Sequence, residues 1–154
     1  MIDEALRELY QEVILDHSKH PHHFGPLAHA THNAEGYNPL CGDRVQVHLK
    51  LDADGRIADV RFEGKGCAIS QASASLMTDL VLGKSVVEAE KLMDGFLHLV
   101  KGEDGVPDLA EDDRETLQVM AGVSAFPMRV KCATLAWHTM KSALEGGAQP
   151  AKTE

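Results

Sequence analysis

The dipeptide Asp54-Gly55 is the strongest turn signal in the chain, and its flanks leave little choice of local fold. Asp-Gly accepts the positive φ angles of a two-residue hairpin turn, so it joins antiparallel strands. Before it, Val45, Val47, Leu49 and Leu51 alternate with Arg44, Gln46, His48 and Lys50, the pattern of a half-buried strand. After it, a second strand is expected from about Ile57 to Glu63, with Ala58, Val60 and Phe62 facing inward and Gly64 and Gly66 ending it. Cys41 lies thirteen residues before Asp54 and Cys67 thirteen after it. Antiparallel pairing therefore carries both thiols to the open end of one hairpin, to within a residue. Asp43 follows Cys41 by two residues and points to the same side of its strand. With Cys132, the last of the three cysteines, this makes three sulfurs and one carboxylate: a four-coordinate metal site assembled by folding.

At 154 residues the chain is expected to be a single domain, large enough to bury a core without disulfides. An odd number of widely spaced cysteines points to a reducing compartment. No basic segment followed by an apolar stretch opens the chain, and no apolar run approaches the ~20 residues that span a bilayer, so a cytoplasmic setting is expected. A formal charge of −9 disfavours nucleic acid and anionic membranes and suits a protein partner with a basic patch.

Residues 2–18 read as an amphipathic helix with Ile2, Leu6, Leu9, Tyr10, Val13 and Ile14 on one face, ending near His20 before Pro21. Residues 19–40 read as a Gly/Pro/His-rich loop, broken by Gly25, Pro26, Gly36 and Pro39. A helix rich in small residues follows Cys67 and stops at Gly83. Ser85-Val86-Val87-Glu88 is a capping box opening the next helix, with Val87, Leu92, Met93, Phe96 and Val100 on its apolar face. Residues 101–114 read as an acidic surface excursion, and a short helix then runs through Met120 to Gly122. The last helix is expected from about Lys131 to Leu144, ended by Gly146-Gly147. The domain thus spans 1–147, and 148–154 is expected to be a disordered tail.

Cysteine often packs as an inert small hydrophobe, but the contexts here differ. Cys41 lies in the polar turn Asn38-Pro39-Leu40-Cys41-Gly42-Asp43. Cys67 immediately precedes a helix, and Cys132 is placed in the first turn of the last one; both positions favour thiolate. Lys65 and Lys131 add positive charge nearby. Three thiolates and Asp43 suit Zn2+, and Cys41, on a glycine-flanked loop, is the ligand most able to leave and act as a nucleophile toward a persulfide. Six of the nine histidines, His17, His20, His22, His23, His29 and His32, crowd into one tract. It reads as a solvated recognition loop in preference to a second metal site, because no spacing within it matches a defined one. The acidic run from Glu103 to Asp113 lacks the alternating oxygen ligands of a calcium loop.

Asn38-Pro39-Leu40-Cys41-Gly42-Asp43, Gly64-Lys65-Gly66-Cys67-Ala68-Ile69-Ser70 and Lys131-Cys132-Ala133 resemble the U-type iron–sulfur cluster assembly family, which takes in IscU, SufU and the N-terminal domain of NifU. Leu9-Tyr10 through His17, Pro21 and Phe24-Gly25-Pro26 resembles it too, so the likeness covers residues 2 to about 146. It implies an α+β fold, a small antiparallel sheet covered by helices on one face, with the metal site at an exposed end. Where the cluster-scaffold branch carries a histidine before its third cysteine, this chain has Lys131. The chaperone-recognised Leu-Pro-Pro-Val-Lys stretch of that branch is only partly kept in Ala125-Phe126-Pro127-Met128-Arg129, and the segment between Cys67 and Cys132 is longer. These departures resemble the SufU branch. That branch implies an accessory sulfurtransferase, without small-molecule turnover of its own, which holds zinc through Cys41, Asp43, Cys67 and Cys132. The implied partner is a SufS-like, pyridoxal-phosphate-dependent cysteine desulfurase. A desulfurase histidine replaces Cys41 on the metal, Cys41 takes the persulfide sulfur, and the sulfur passes to downstream assembly proteins. The alternative is a scaffold holding a transient [2Fe–2S] cluster.

Overall fold

The computed structural model describes residues 4–39, 42–103, 109–146 and 151–152. Its elements are α1 (Glu4–Lys19), β1 (His32–Asn38), β2 (Asp43–Leu51), β3 (Ile57–Lys65), α2 (Ala68–Val81), α3 (Val86–Lys101), α4 (Glu111–Gln118), a 3-10 turn (Ala121–Ala125), α5 (Pro127–Leu144) and β4 (Ala151–Lys152). The expected α+β class holds, with three antiparallel strands and five helices. The sheet order is β3-β2-β1-β4, and β4 pairs parallel to β1 where the sequence predicts a disordered tail.

The hairpin about Asp54-Gly55 forms with Arg44 opposite Lys65 and Val45 opposite Gly64. A register shift at Lys50/Leu51 moves the second strand by one residue. Consequently Ile57, Val60 and Phe62 are buried and Ala58 is exposed, which corrects the inward face expected from simple alternation. On β2 the alternation holds: Asp43, Val45, Val47 and Leu49 face the helices. The opposite face carries a polar ladder, with His48 bonded to Asn33 Oδ1 at 2.7 Å and to Glu63 Oε1 at 2.9 Å, and Gln46 Nε2 donating to Glu35 Oε1 at 3.0 Å.

β1 lies inside the segment expected to be loop. Gly36 reads as a breaker, yet here it is buried within the strand because α5 crosses directly over it. A methyl group at Gly36 would overlap Thr139 Oγ1. Glycine in a strand can mark such a close approach, and the signal for it lies a hundred residues away, on α5.

The small side chains of α2 do what the sequence predicts. Ala72, Ser73, Ala74 and Ser75 are buried, and Ser73 Oγ donates to the Ala133 carbonyl of α5 at 2.5 Å. Trp137 of α5 stacks on Phe96 of α3, ring centroids 4.7 Å apart, at the centre of the core. The Ser85/Glu88 capping box opens α3, but Val87 points to solvent at 75% exposure and Ala89 takes the buried place. α5 begins at Pro127, a first-turn position that proline favours, one turn earlier than expected. Among the described residues no helix is long and apolar enough to cross a membrane.

Burial lowers the pKa of His138 on α5, and Lys101 and Lys141 lower it further. Below the unfolded value of about 6.5 the unfolded chain therefore binds more protons than the native one, so stability falls as pH falls through that value. His138→Gln is expected to make the loss of stability between about pH 7 and 5 shallower in urea titrations. An unchanged slope would contradict this assignment.

Candidate metal centre

The open end of the hairpin is where β2 begins, β3 ends and α2 starts. Asp43, the first residue of β2, continues the inward face past Val45 and is 2% exposed. Cys67 is the N-cap of α2, and its carbonyl accepts the first helical bond from Gln71 N–H at 3.0 Å. Asp43 Oδ1 accepts the Cys67 backbone N–H at 3.1 Å, and Cys67 Sγ lies 4.0 Å from Asp43 Oδ2. The carboxylate therefore fixes the loop that carries the sulfur. Gly66 completes the approach, since a Cβ there would come within 2.9 Å of both Asp43 Oδ1 and Ser70 Oγ.

Cys132 arrives from α5 and is fully buried. Because α5 begins at Pro127, Cys132 occupies its second turn, not the first as the sequence reading has it. Packing of α5 against the sheet and α2 holds this sulfur, and the helix-terminus argument for it falls away. One donor atom from each of Asp43, Cys67 and Cys132 lies within 4.8 Å of the others. Cys67 and Cys132 are not joined in a disulfide. Cys41 lies outside the described residues. In the sequence it stands between Pro39 and Gly42; of the described residues flanking it, Gly42 N–H donates to the Asn38 carbonyl at 2.8 Å and Gly42 has φ +74°.

Arg129, which enters the sequence analysis only as part of a family motif, adds positive charge at the centre. Arg129 precedes Cys132 by three residues, one helical turn, and so projects from the same face of α5. The neighbouring charge of Cys67 raises the Arg129 pKa most, and hydrogen bonding to Cys132 adds to it. The i, i+3 spacing was a usable signal, but only with the correct start of α5.

Two sulfurs and a carboxylate, with a third cysteine two residues before Asp43 in the sequence, suit zinc or an iron–sulfur cluster by their softness, and they do not suit calcium or magnesium. Buried Asp43 and Cys132 with half-buried Cys67 form a pre-assembled donor set.

The profile of the NifU-like N-terminal domain matches residues 9–133. The chain is 43% identical over 143 residues to a protein named iron–sulfur cluster assembly scaffold protein IscU from Streptococcus pyogenes serotype M1, covering 93% of this chain and 87% of that one. It is 41% identical over 145 residues to the zinc-dependent sulfurtransferase SufU of Bacillus subtilis strain 168, covering 92% and 95%. A crystal structure described as a putative iron–sulfur cluster assembly scaffold protein for the SUF system, from Fervidobacterium islandicum AW-1, superposes with a TM-score of 0.79 at 36% identity, over 90% of this chain and 98% of that one. Sequence profile, relatives and fold agree with the three motifs around the thiols: the chain belongs to the NifU-like N-terminal domain family.

Proposed function

We propose that this protein serves iron–sulfur cluster assembly as a zinc-dependent sulfur acceptor, taking persulfide sulfur from a cysteine desulfurase onto Cys41. The observation that carries the reading is the convergence of Asp43, Cys67 and Cys132 within 4.8 Å, with Cys41 two residues before Asp43 in the sequence. Similarity to a zinc-dependent sulfurtransferase supports it, and so does Lys131 in the place of a histidine before Cys132.

In this reading Cys41, Asp43, Cys67 and Cys132 hold zinc. When bound, zinc keeps the coordinating thiols deprotonated and shields them from oxidation. Cys67 and Cys132 are held by the start of α2 and the packed second turn of α5, whereas Cys41 is followed in the sequence by Gly42 and belongs to neither helix. In this reading Cys41 is the donor that leaves the metal. Its thiolate attacks the outer sulfur of the desulfurase persulfide. A new S–S bond forms on Cys41, the donor's S–S bond breaks, and the electron pair leaves on the desulfurase cysteine as thiolate. The oxidation level travels with the sulfur, so no separate oxidant is needed. Pyridoxal phosphate belongs to the partner.

A second reading, a scaffold for a transient [2Fe–2S] cluster, is favoured by the similarity to a protein named as such a scaffold. One preparation separates the two. The sulfur acceptor carries about one zinc, shows no iron–sulfur absorbance, and accelerates cysteine turnover by the desulfurase only when zinc is present. An iron-coloured protein that hands its cluster to an apo-protein supports the scaffold instead. The centre ties β2 to α2 and α5, so stripping the zinc is expected to lower Tm by about 5–10 °C when free zinc had exceeded Kd about a hundredfold. An unchanged Tm after verified removal would contradict the assignment of the metal to these residues.

A further inference from the structure

The histidine-rich tract is exposed at His20, His22 and His29, but part of it is docked on the fold. After α1 ends, the chain docks along β3 and α2: Phe62 N–H donates to the His23 carbonyl at 3.0 Å, Gly25 N–H to the Phe62 carbonyl at 2.9 Å, and Phe24 meets Phe62 edge-on at 5.2 Å. This docking brings His17, from the last turn of α1, and His22, from the loop, against Asp79 on α2. One donor atom from each of the three lies within 4.8 Å of the others. We propose that His17, His22 and Asp79 form a second, exchangeable site for a divalent first-row transition metal, with zinc the expected occupant.

The donors are oriented from behind as metal ligands are. Ser75 Oγ bonds His17 Nδ1 at 2.7 Å and accepts the His22 backbone N–H at 2.8 Å, so one hydroxyl sets both histidines. The two imidazole rings lie 4.3 Å apart between centroids. His22 Nδ1 lies 2.7 Å from Asp79 Oδ2, and the other carboxylate oxygen is 3.5 Å from His23 Nδ1. His23 is itself held by Thr78 Oγ1 at 2.9 Å. A cation would take the place of the proton shared by His22 Nδ1 and Asp79, that proton passing to Nε2 or to solvent.

Chemistry selects the ligand class. Two imidazole nitrogens and one carboxylate suit zinc, copper or nickel over calcium or magnesium, and three protein donors leave a coordination position for water. His17 is buried, while the side chains of His22 and Asp79 are 46% and 34% exposed, so the site opens to solvent on one side. That exposure makes the metal exchangeable. Asp79 lies twelve residues along α2 from the Cys67 end, about 18 Å, so this cluster is separate from the thiolate centre and does not depend on the function proposed for it. No local spacing reveals it, because the carboxylate comes from a helix far along the chain.

The test is a zinc titration of the full chain followed through the imidazole 1H–15N resonances. Saturable shifts of the His17 and His22 rings are expected, while those of His29 and His32 stay in place. His22→Gln and Asp79→Asn should each weaken this binding by about tenfold or more. The double variant His29→Gln/His32→Gln should leave it unchanged. The proposal is overturned if His17 and His22 do not shift, if all the histidines shift alike, or if His22→Gln and Asp79→Asn bind zinc as the unmodified chain does. Because the readout sits on these two rings, its outcome is independent of whether the thiolate centre holds zinc.

Discussion

If the protein accepts sulfur as proposed, replacing Cys41 with alanine is expected to reduce its stimulation of a cysteine desulfurase to the rate of the desulfurase alone, with the fold intact. The asymmetry between the sulfurs supports this. Cys132 is fully buried in α5, so removing it disturbs a packed element, and Cys67 sits at the start of α2 with its sulfur 4.0 Å from Asp43 Oδ2. Cys41 stands in the sequence between β1 and β2, outside the helices that carry the other two sulfurs. Zinc should still bind to Cys41→Ala with lowered affinity, because Asp43, Cys67 and Cys132 stay clustered. The pattern to look for is retained metal and a normal melting curve without sulfur acceptance. If Cys41→Ala stimulates the desulfurase as the unmodified protein does, the acceptor role is wrong.

Gly64→Ala is expected to have the largest effect on stability of any substitution of a single hydrogen by methyl near the centre. Gly64 holds φ +144°, a conformation that L side chains rarely adopt. A Cβ there would also overlap the Arg44 carbonyl oxygen and come within 2.9 Å of Val45 Cα, both on the paired backbone of β2. Strain and overlap each contribute about 1–3 kcal/mol, so a loss of about 3 kcal/mol or more is expected, and Tm should fall by about 6–12 °C. Gly55 provides the control. It has φ +76° in the turn, but nothing lies within 4 Å of a Cβ built there, so Gly55→Ala carries only the conformational term, about 1 kcal/mol. Gly64 also precedes Cys67 by three residues, so the variant should bind zinc more weakly. Equal destabilisation by the two substitutions, measured in urea, would show that backbone crowding at Gly64 is not the cause.

How much of this was legible in the sequence depends on the range of the interaction responsible. The hairpin, the inward face of β2, the small-residue helix and the capping box are written in neighbouring residues, and the structure contains each of them. Asp43 and Cys67 meet because a period-two alternation and an Asp-Gly turn place them there. What was not legible came from distant partners. β1 was hidden because Gly36 is a strand residue only by virtue of α5 above it. The one-residue shift at Lys50/Leu51 exchanged Ala58 for Ile57 on the inward face, and no alternation rule anticipates a bulge. Local signals start the last helix near Lys131, whereas Pro127 opens it, which puts Cys132 in the second turn and Arg129 one turn before it on the same face. The His17, His22 and Asp79 cluster is the extreme case, since only the packing of α1 and its loop on α2 creates it.

The central claim is that Cys41, and neither of the other thiols, receives the sulfur. Mass spectrometry of the zinc-loaded protein after incubation with cysteine and a cognate desulfurase, with free thiols alkylated and the chain digested, tests it most directly. One added sulfur atom is expected on the peptide containing Cys41, and none when zinc is first removed. Added sulfur on the Cys67 or Cys132 peptide, with Cys41 unmodified, would contradict it.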